Sequence, residues 1–250
     1  MSLLEAIAVL AAGFGAGAIN AVIGSGTLLT FPVLLAVGFP PLVANVSNNI
    51  GLVPGAASAA YGYRRELEGA RARLTRFAPA TASGAVIGAV LLLTLPSSAF
   101  DAIVPVLIAI SLVLIVFQPR ISRWVIARRA EGMPHGGRGL LAGLFGTGVY
   151  GGYFGAGQGI LLFGLLASSL PDDLRELTAV RAVLAGLANG IAAVIFVFAA
   201  EVDWLAVAVI AAGSTLGGIF GAGIGRRLPD DVLRGFVVLV GLAAIAQLVL

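Results

Sequence analysis

From Leu3 onward the chain is a succession of apolar runs, most of them about 20 residues long, parted by short stretches rich in Gly, Pro, Asp or Arg. Wound as a helix at about 1.5 Å per residue, such a run crosses the roughly 30 Å hydrocarbon core of a bilayer. Inside that core an unpaired backbone N–H or C=O is costly, so only helices and closed barrels span it. The period-two alternation of barrel strands is absent here. With 59% hydrophobic and 11% charged residues and a mean hydropathy of +1.05, the chain stands far from a soluble domain. It is therefore read as an all-α, polytopic membrane helix bundle. The 35 glycines suit a compact bundle, because small residues let membrane helices approach closely.

Five segments are expected in each half: roughly 3 to 23, 27 to 37, 41 to 62, 77 to 95 and 99 to 117, then 139 to 154, 157 to 169, 175 to 198, 203 to 224 and 231 to 249. Segments 27 to 37 and 157 to 169 are too short to span and read as re-entrant or half-helices. Each follows a glycine break, Gly24-Ser25-Gly26-Thr27 in the first half and Gly155-Ala156-Gly157-Gln158 in the second. Helix interruption in lipid is tolerated where the freed groups are buried in protein or line a cavity, and paired breaks in two halves point to a central substrate site. The alternative is that these glycines only allow tight packing, which leaves the short segment after each break unexplained. Pro96 with Phe100 matches Pro229 with Leu233, and Gly84 with Gly88 matches Gly213 with Gly217, as an internal duplication would produce. The expected organisation is an N-terminal membrane repeat, 1–119, an Arg-rich linker, 120–138, and a C-terminal membrane repeat, 139–250.

The formal charge is +3, and all fifteen basic residues are arginine. Most fall in three clusters: Arg64, Arg65, Arg71, Arg73 and Arg76; Arg120, Arg123, Arg128, Arg129 and Arg138; Arg226, Arg227 and Arg234. That pattern records topology, not nucleic-acid binding, and the positive-inside rule puts all three clusters in the cytoplasm. The loops left for the outside carry Asp101, Glu201 and Asp203. A broken pair adds an even number of crossings, so each half changes side once, the repeats are inverted, and both termini are expected outside the cytoplasm. Residues 1 to 12 hold Glu5 and no basic residue, unlike a signal peptide, so the first span is expected to be retained. Cysteine is absent, which removes disulfides and thiolate chemistry.

The acidic residues all fall at segment ends or in loops, and the one histidine, His135, reads as a solvated loop residue. Proton relays and many sodium sites need an intramembrane Asp, Glu or His, so cation coupling through carboxylates is not expected. The polar residues inside the apolar segments suit an anion instead. Asn20, Ser25, Thr27, Asn45, Ser47, Asn48 and Asn49 lie in the first half, and Tyr150, Tyr153, Gln158, Arg181 and Asn189 in the second. Amides and hydroxyls can donate to an oxyanion without setting a negative charge beside it. Helices restarting after Gly26 and Gly157 are expected to aim free N–H groups and positive dipole ends into the gap, and Gly24 and Gly155 count with them among the expected substrate-binding residues.

Arg181 is the sharpest residue, a cation about six positions inside an apolar segment; it either neutralises the substrate or snorkels to the interface. Asn48 and Asn49 read equally as interhelical hydrogen-bonding groups, and Tyr150 and Tyr153 as packing residues. Trp124 and Trp204 are expected in the interfacial belts. Gly24-Ser25-Gly26 could suggest an intramembrane serine protease, yet nucleophilic serine needs a base within reach, lysine is absent and His135 is in a loop. No catalytic residue, metal or cofactor is expected.

Gly17-Ala18-Ile19-Asn20, then Gly24 to Pro32, Ala44-Asn45-Val46-Ser47-Asn48 and Pro54-Gly55 resemble the TauE/SafE sulfite exporter family. Gly148 to Gly159, Arg181 with Asn189, and Val202-Asp203-Trp204 followed by Gly213 and Gly217 resemble its C-terminal repeat, where a basic residue is usual at the place of Arg181. Ala156 and Gln158 depart from the pattern, which more often has further glycines there. The resemblance implies a secondary transporter of sulfite, sulfonates such as sulfoacetate, or related small anions across a bacterial inner membrane. The alternatives are an anion channel or a permease for a different small organic anion. Expected partners are the small anionic substrate and membrane lipid, with a homodimer left open by the Gly-rich faces.

Overall fold

The computed structural model describes residues 1–127 and 137–224 and, beyond them, 235, 238–242 and 245–246. Arg128, Arg129, His135, Arg226, Arg227, Arg234, the Pro229 and Leu233 pair and much of the tenth expected segment lie outside the described residues. Among the described residues every regular element is an α-helix: α1 (Leu3–Val22), α2 (Thr27–Ala36), α3 (Pro41–Gly62), α4 (Arg71–Thr94), α5 (Ser97–Ala127), α6 (Arg138–Tyr153), α7 (Gln158–Ser169), α8 (Leu174–Ala199) and α9 (Trp204–Ile224). Helices α1, α4, α5, α8 and α9 are long and apolar enough to cross a membrane, whereas α2 and α7 are too short. Helix α3 has the length, 22 residues, but Asn45, Ser47, Asn48 and Asn49 make it more polar.

Local chemistry sets the ends. Helix α1 opens with a capping box, the Glu5 N–H donating to Ser2 Oγ at 3.3 Å and the Ser2 N–H to Glu5 Oε2 at 2.7 Å. Helix α3 begins at Pro41, whose fixed φ and missing N–H cost nothing in a first turn. Two helices outrun their apolar segments. Helix α4 starts at Arg71 instead of 77, and α5 runs to Ala127 instead of 117, so that Arg120 and Arg123, read from sequence as linker, are helical. Hydropathy marks where lipid ends, not where a helix does, and long arginine side chains let a helix continue into the interface. At 31 residues and about 1.5 Å each, α5 is about 46 Å long, beyond the hydrocarbon thickness.

The helices pack across the two halves of the sequence. Helix α1 lies along α9 and α4 along α6, while α3 and α8 meet centrally, α3 also touching α9 and α8 also touching α4. Glycines carry these crossings: a Cβ on Gly213 would sit 2.5 Å from the Leu10 carbonyl, and one on Gly17 or Gly84 would likewise collide with the backbone of Ser214 or Phe145. Outside the bundle, α5 exposes Ile103, Val106, Ile110, Val113 and Phe117, an apolar stripe suited to lipid; inside lie Ser25, Asn48, Ser111, Gln158 and Arg181. Trp124 and Trp204 are both more than half exposed. At the arginine-rich end, Arg73 on α4 forms ion pairs with Asp172, before α8, and with Glu176 in its first turn, the latter at 2.7 Å.

Candidate functional site

The two breaks are held by different chemistry. In the first, α1 ends at Val22, Gly24 takes a left-handed φ of +83°, and the Gly26 N–H donates to Asn20 Oδ1 at 2.6 Å. Gly26 itself is in the right-handed region; its glycine serves close approach, since a Cβ there would lie 2.7 Å from Asn20 Nδ2. The second break needs two left-handed glycines, Gly155 at +77° and Gly157 at +75°. The Tyr150 hydroxyl donates to the Ala156 carbonyl, and Ser111 Oγ of α5 lies 2.9 Å from both groups. Ser111 has no counterpart in the sequence-based site.

The expectation of free N–H groups at the restarting helices is largely corrected. In α2 the N–H groups of Gly26, Leu28 and Leu29 are bonded to Asn20 Oδ1 and to the carbonyls of Ser25 and Gly26; in α7 those of Gln158 and Ile160 bond Gly155 and Gly157. Tight i to i+3 turns take up donors that an ideal helix start would leave open. In α7 the donor between those of Gln158 and Ile160 joins the breaks: the Gly159 N–H donates to the Gly24 carbonyl at 3.1 Å. Both residues must be small, because a Cβ on Gly24 would lie 2.7 Å from the Gly159 Cα.

Where the breaks meet, a cavity of about 30 Å³ opens between α1, α2, α3, α7 and α8. Its wall includes Asn20, Gly24 and Thr27 from the first half with Gly155, Gln158, Arg181 and Asn189 from the second. Sequence reasoning missed Gly159 and the small residues Ala56 and Ala59 of α3 and Ala182, Ala185 and Gly186 of α8. The signal for them existed, as Arg181, Ala185 and Asn189 repeat at four-residue spacing on one helix face.

Arg181 is 3% exposed and turned inward, its Nη2 donating to the Ala21 carbonyl at 3.2 Å, so snorkelling does not describe it. Its Nη1 faces Gly24, a Cβ on which would come within 2.9 Å. Its buried Nε has no hydrogen-bond partner, and among the described residues no carboxylate lies within ion-pair distance.

The other expected residues, buried except for the half-buried Tyr150 and Tyr153, do not line this cavity. Ser25, Gly26 and Gly157 are in the breaks themselves. Asn45 Nδ2 donates to the Tyr153 carbonyl at 3.0 Å, tying α3 to the end of α6, and Ser47 Oγ accepts from the Asp203 N–H at 3.0 Å. Asn48 accepts from the Thr30 hydroxyl of α2. Tyr153 sets its ring edge-on to Phe100, 5.8 Å between centroids. Ser25 Oγ, Asn45 Oδ1, Asn49 Oδ1 and the Tyr153 hydroxyl are buried without a partner. Gln158 donates to the Thr147 carbonyl at 3.0 Å while its side chain packs over Gly151.

The chain is similar over most of its length to curated membrane proteins. A probable membrane transporter protein of Haemophilus influenzae is 27% identical over 237 residues, covering 95% of this chain and 91% of the relative. The probable membrane transporter protein YfcA of Escherichia coli K12 is 26% identical, covering 93% of this chain and 85% of the relative, and the probable membrane transporter protein ORF9 of a Sinorhizobium species is 27% identical over 238 residues. No solved structure matches. The model of the sulfite exporter TauE/SafE family matches residues 9–248, both breaks and Arg181 included, and so this all-helical, multi-pass membrane protein belongs to the TauE/SafE family.

Proposed function

We propose that the protein is a secondary transporter that exports a small oxyanion, sulfite or a sulfonate such as sulfoacetate, by alternating access. One observation carries this reading: a fully buried arginine without a carboxylate partner among the described residues, its guanidinium at the junction of two broken helices. An uncompensated cation in a low-dielectric interior is costly, and a bound anion would remove that cost. The family and the names of the relatives favour transport of this kind.

In this proposal residues 1–119 and 139–250 are inverted repeats joined by the Arg-rich linker, and the pairing of α1 with α9 and of α4 with α6 is what a pseudo-two-fold axis in the membrane plane would produce. The arginine-rich ends face the cytoplasm of a bacterial inner membrane and both termini face outward. The contact of Gly24 with Gly159, which joins the two breaks at the wall of the central space, favours a carrier over an open channel.

Export of an anion from a cell that is negative inside is favoured by about 2.3 kcal/mol per charge for each 100 mV, so no coupling ion is needed. The test is counterflow of labelled sulfite and sulfoacetate in proteoliposomes. Saturable exchange is expected in the wild type, falling at least about tenfold in Arg181→Ala, the loss of about 1.4 kcal/mol of anion binding, with partial retention in Arg181→Lys. Exchange unchanged in Arg181→Ala would remove the proposed site, and strict dependence on a pH or sodium gradient at zero voltage would overturn the uniport mechanism.

A further inference from the structure

Arg181 belongs to two cavities. Besides the central space it lines a larger one, of about 160 Å³, enclosed by the second half of α5, by α7 and by the first turns of α8. Gln118 and Ser122 of α5 bring polar groups to it, as does Thr178, one turn before Arg181 on α8; Ile23, Ile160 and Phe163 make apolar wall. The start of α8 is tied to the start of α4 by the ion pairs of Arg73, and the last turns of α5 carry Arg120 and Arg123. The chamber therefore lies between the central cavity and the arginine-rich end.

Size and charge give it a purpose. In this conformation the outer chamber, about 160 Å³, is several times larger than the central cavity, about 30 Å³, and is the roomier place for an oxyanion. Among the described residues lining the chamber, Arg181 is the one with a formal charge. A buried cation at the end of a largely apolar cleft focuses the field and concentrates anions.

We infer that this chamber is a second anion-holding site, through which a small soluble oxyanion reaches Arg181 from the arginine-rich end before the guanidinium, open to both cavities, passes it to the centre. The inference rests on the proposed function in treating the anion as the transported substrate. It adds a route, a holding place and the side from which it fills.

The chain contains no cysteine, which makes single thiols clean probes. Ser122→Cys is reacted with two membrane-impermeant methanethiosulfonates, one bearing a sulfonate and one a trimethylammonium group, in vesicles of each orientation. The exposed Thr75→Cys at the same arginine-rich end of α4 is the reference. Reaction is expected from the arginine-rich side, with the anionic-to-cationic rate ratio at least about tenfold above that at Thr75→Cys, the low end of electrostatic focusing in a cleft. The excess should vanish in Arg181→Gln and persist in Arg181→Lys. In the unaltered Arg181 background sulfoacetate should slow the reaction, an arm that does not depend on how the arginine variants fold. A ratio equal to the reference, an excess indifferent to Arg181→Gln, or reaction only from the opposite face would overturn the inference. Sulfoacetate counterflow in the same preparations separates the two readings. Charge-selective reaction without counterflow supports the chamber and counts against transport of sulfonates, whereas counterflow without charge selectivity removes the chamber alone.

Discussion

Asn20 and Tyr150 serve the two breaks with opposite chemistry, an amide oxygen accepting the Gly26 N–H in one and a hydroxyl donating to the Ala156 carbonyl in the other. Asn20→Ala strands a buried donor and is expected to destabilise the protein by about 1–3 kcal/mol, read as a lower unfolding temperature in detergent. Asn20→Asp keeps the acceptor and adds a carboxylate to the cavity that Arg181 lines, so stability should stay near wild type while anion exchange is lost. Wild-type exchange in that variant would argue against the role proposed for Arg181. The sequence marked both residues as polar groups in apolar segments, and both are half-buried. It could not separate groups facing the cavity from groups holding the chain in place, because in lipid either use demands a donor or acceptor and only the packing of facing helices decides which. Ser111 carried no signal at all. A lone serine in an apolar run ordinarily bonds its own helix, as this one also does to the Leu107 carbonyl at 2.7 Å.

The helices themselves were largely legible, since lipid leaves the backbone few choices: the glycine breaks and the shortness of α2 and α7 follow from length and turn chemistry alone. The ends of α4 and α5 were not, because hydropathy falls at the interface while helical hydrogen bonding continues. Nor does sequence say which glycines of a helix touch a neighbour. Helix α6 offers a direct comparison. A Cβ on Gly148 would enter the backbone of Thr81 on α4, whereas one on Gly146 meets nothing within 4 Å. Gly148→Ala is therefore expected to destabilise by about 1–3 kcal/mol or more through overpacking, and Gly146→Ala to be neutral or to stabilise by up to about 1 kcal/mol through helix propensity. Thermal unfolding of the two variants in one detergent reads the difference, and equal effects would mean that α4 and α6 do not pack as described.

Across the whole molecule the strongest associations join opposite halves of the sequence: α1 with α9, α4 with α6, α3 with both α8 and α9. Residues 1–130 and 131–250 made as separate chains are thus expected to be degraded or to aggregate alone, and to recover a monodisperse complex and counterflow when co-expressed. Independent folding of either half would contradict the interlock. This arrangement was out of reach of the sequence, which shows two similar halves but not that each leans on the other; GxxxG spacing in α1, α3, α4, α6, α8 and α9 says that partners exist without naming them. The same interlock bears on how the protein is made. Of the nine described helices α1 is made first, yet the groove that receives Gly13 and Gly17 belongs to α9, the last of them. While α2 to α8 are made, α1 waits in the bilayer with its glycine face turned to lipid or to some other chain, and the order of assembly is set by the lateral search of α1 for α9.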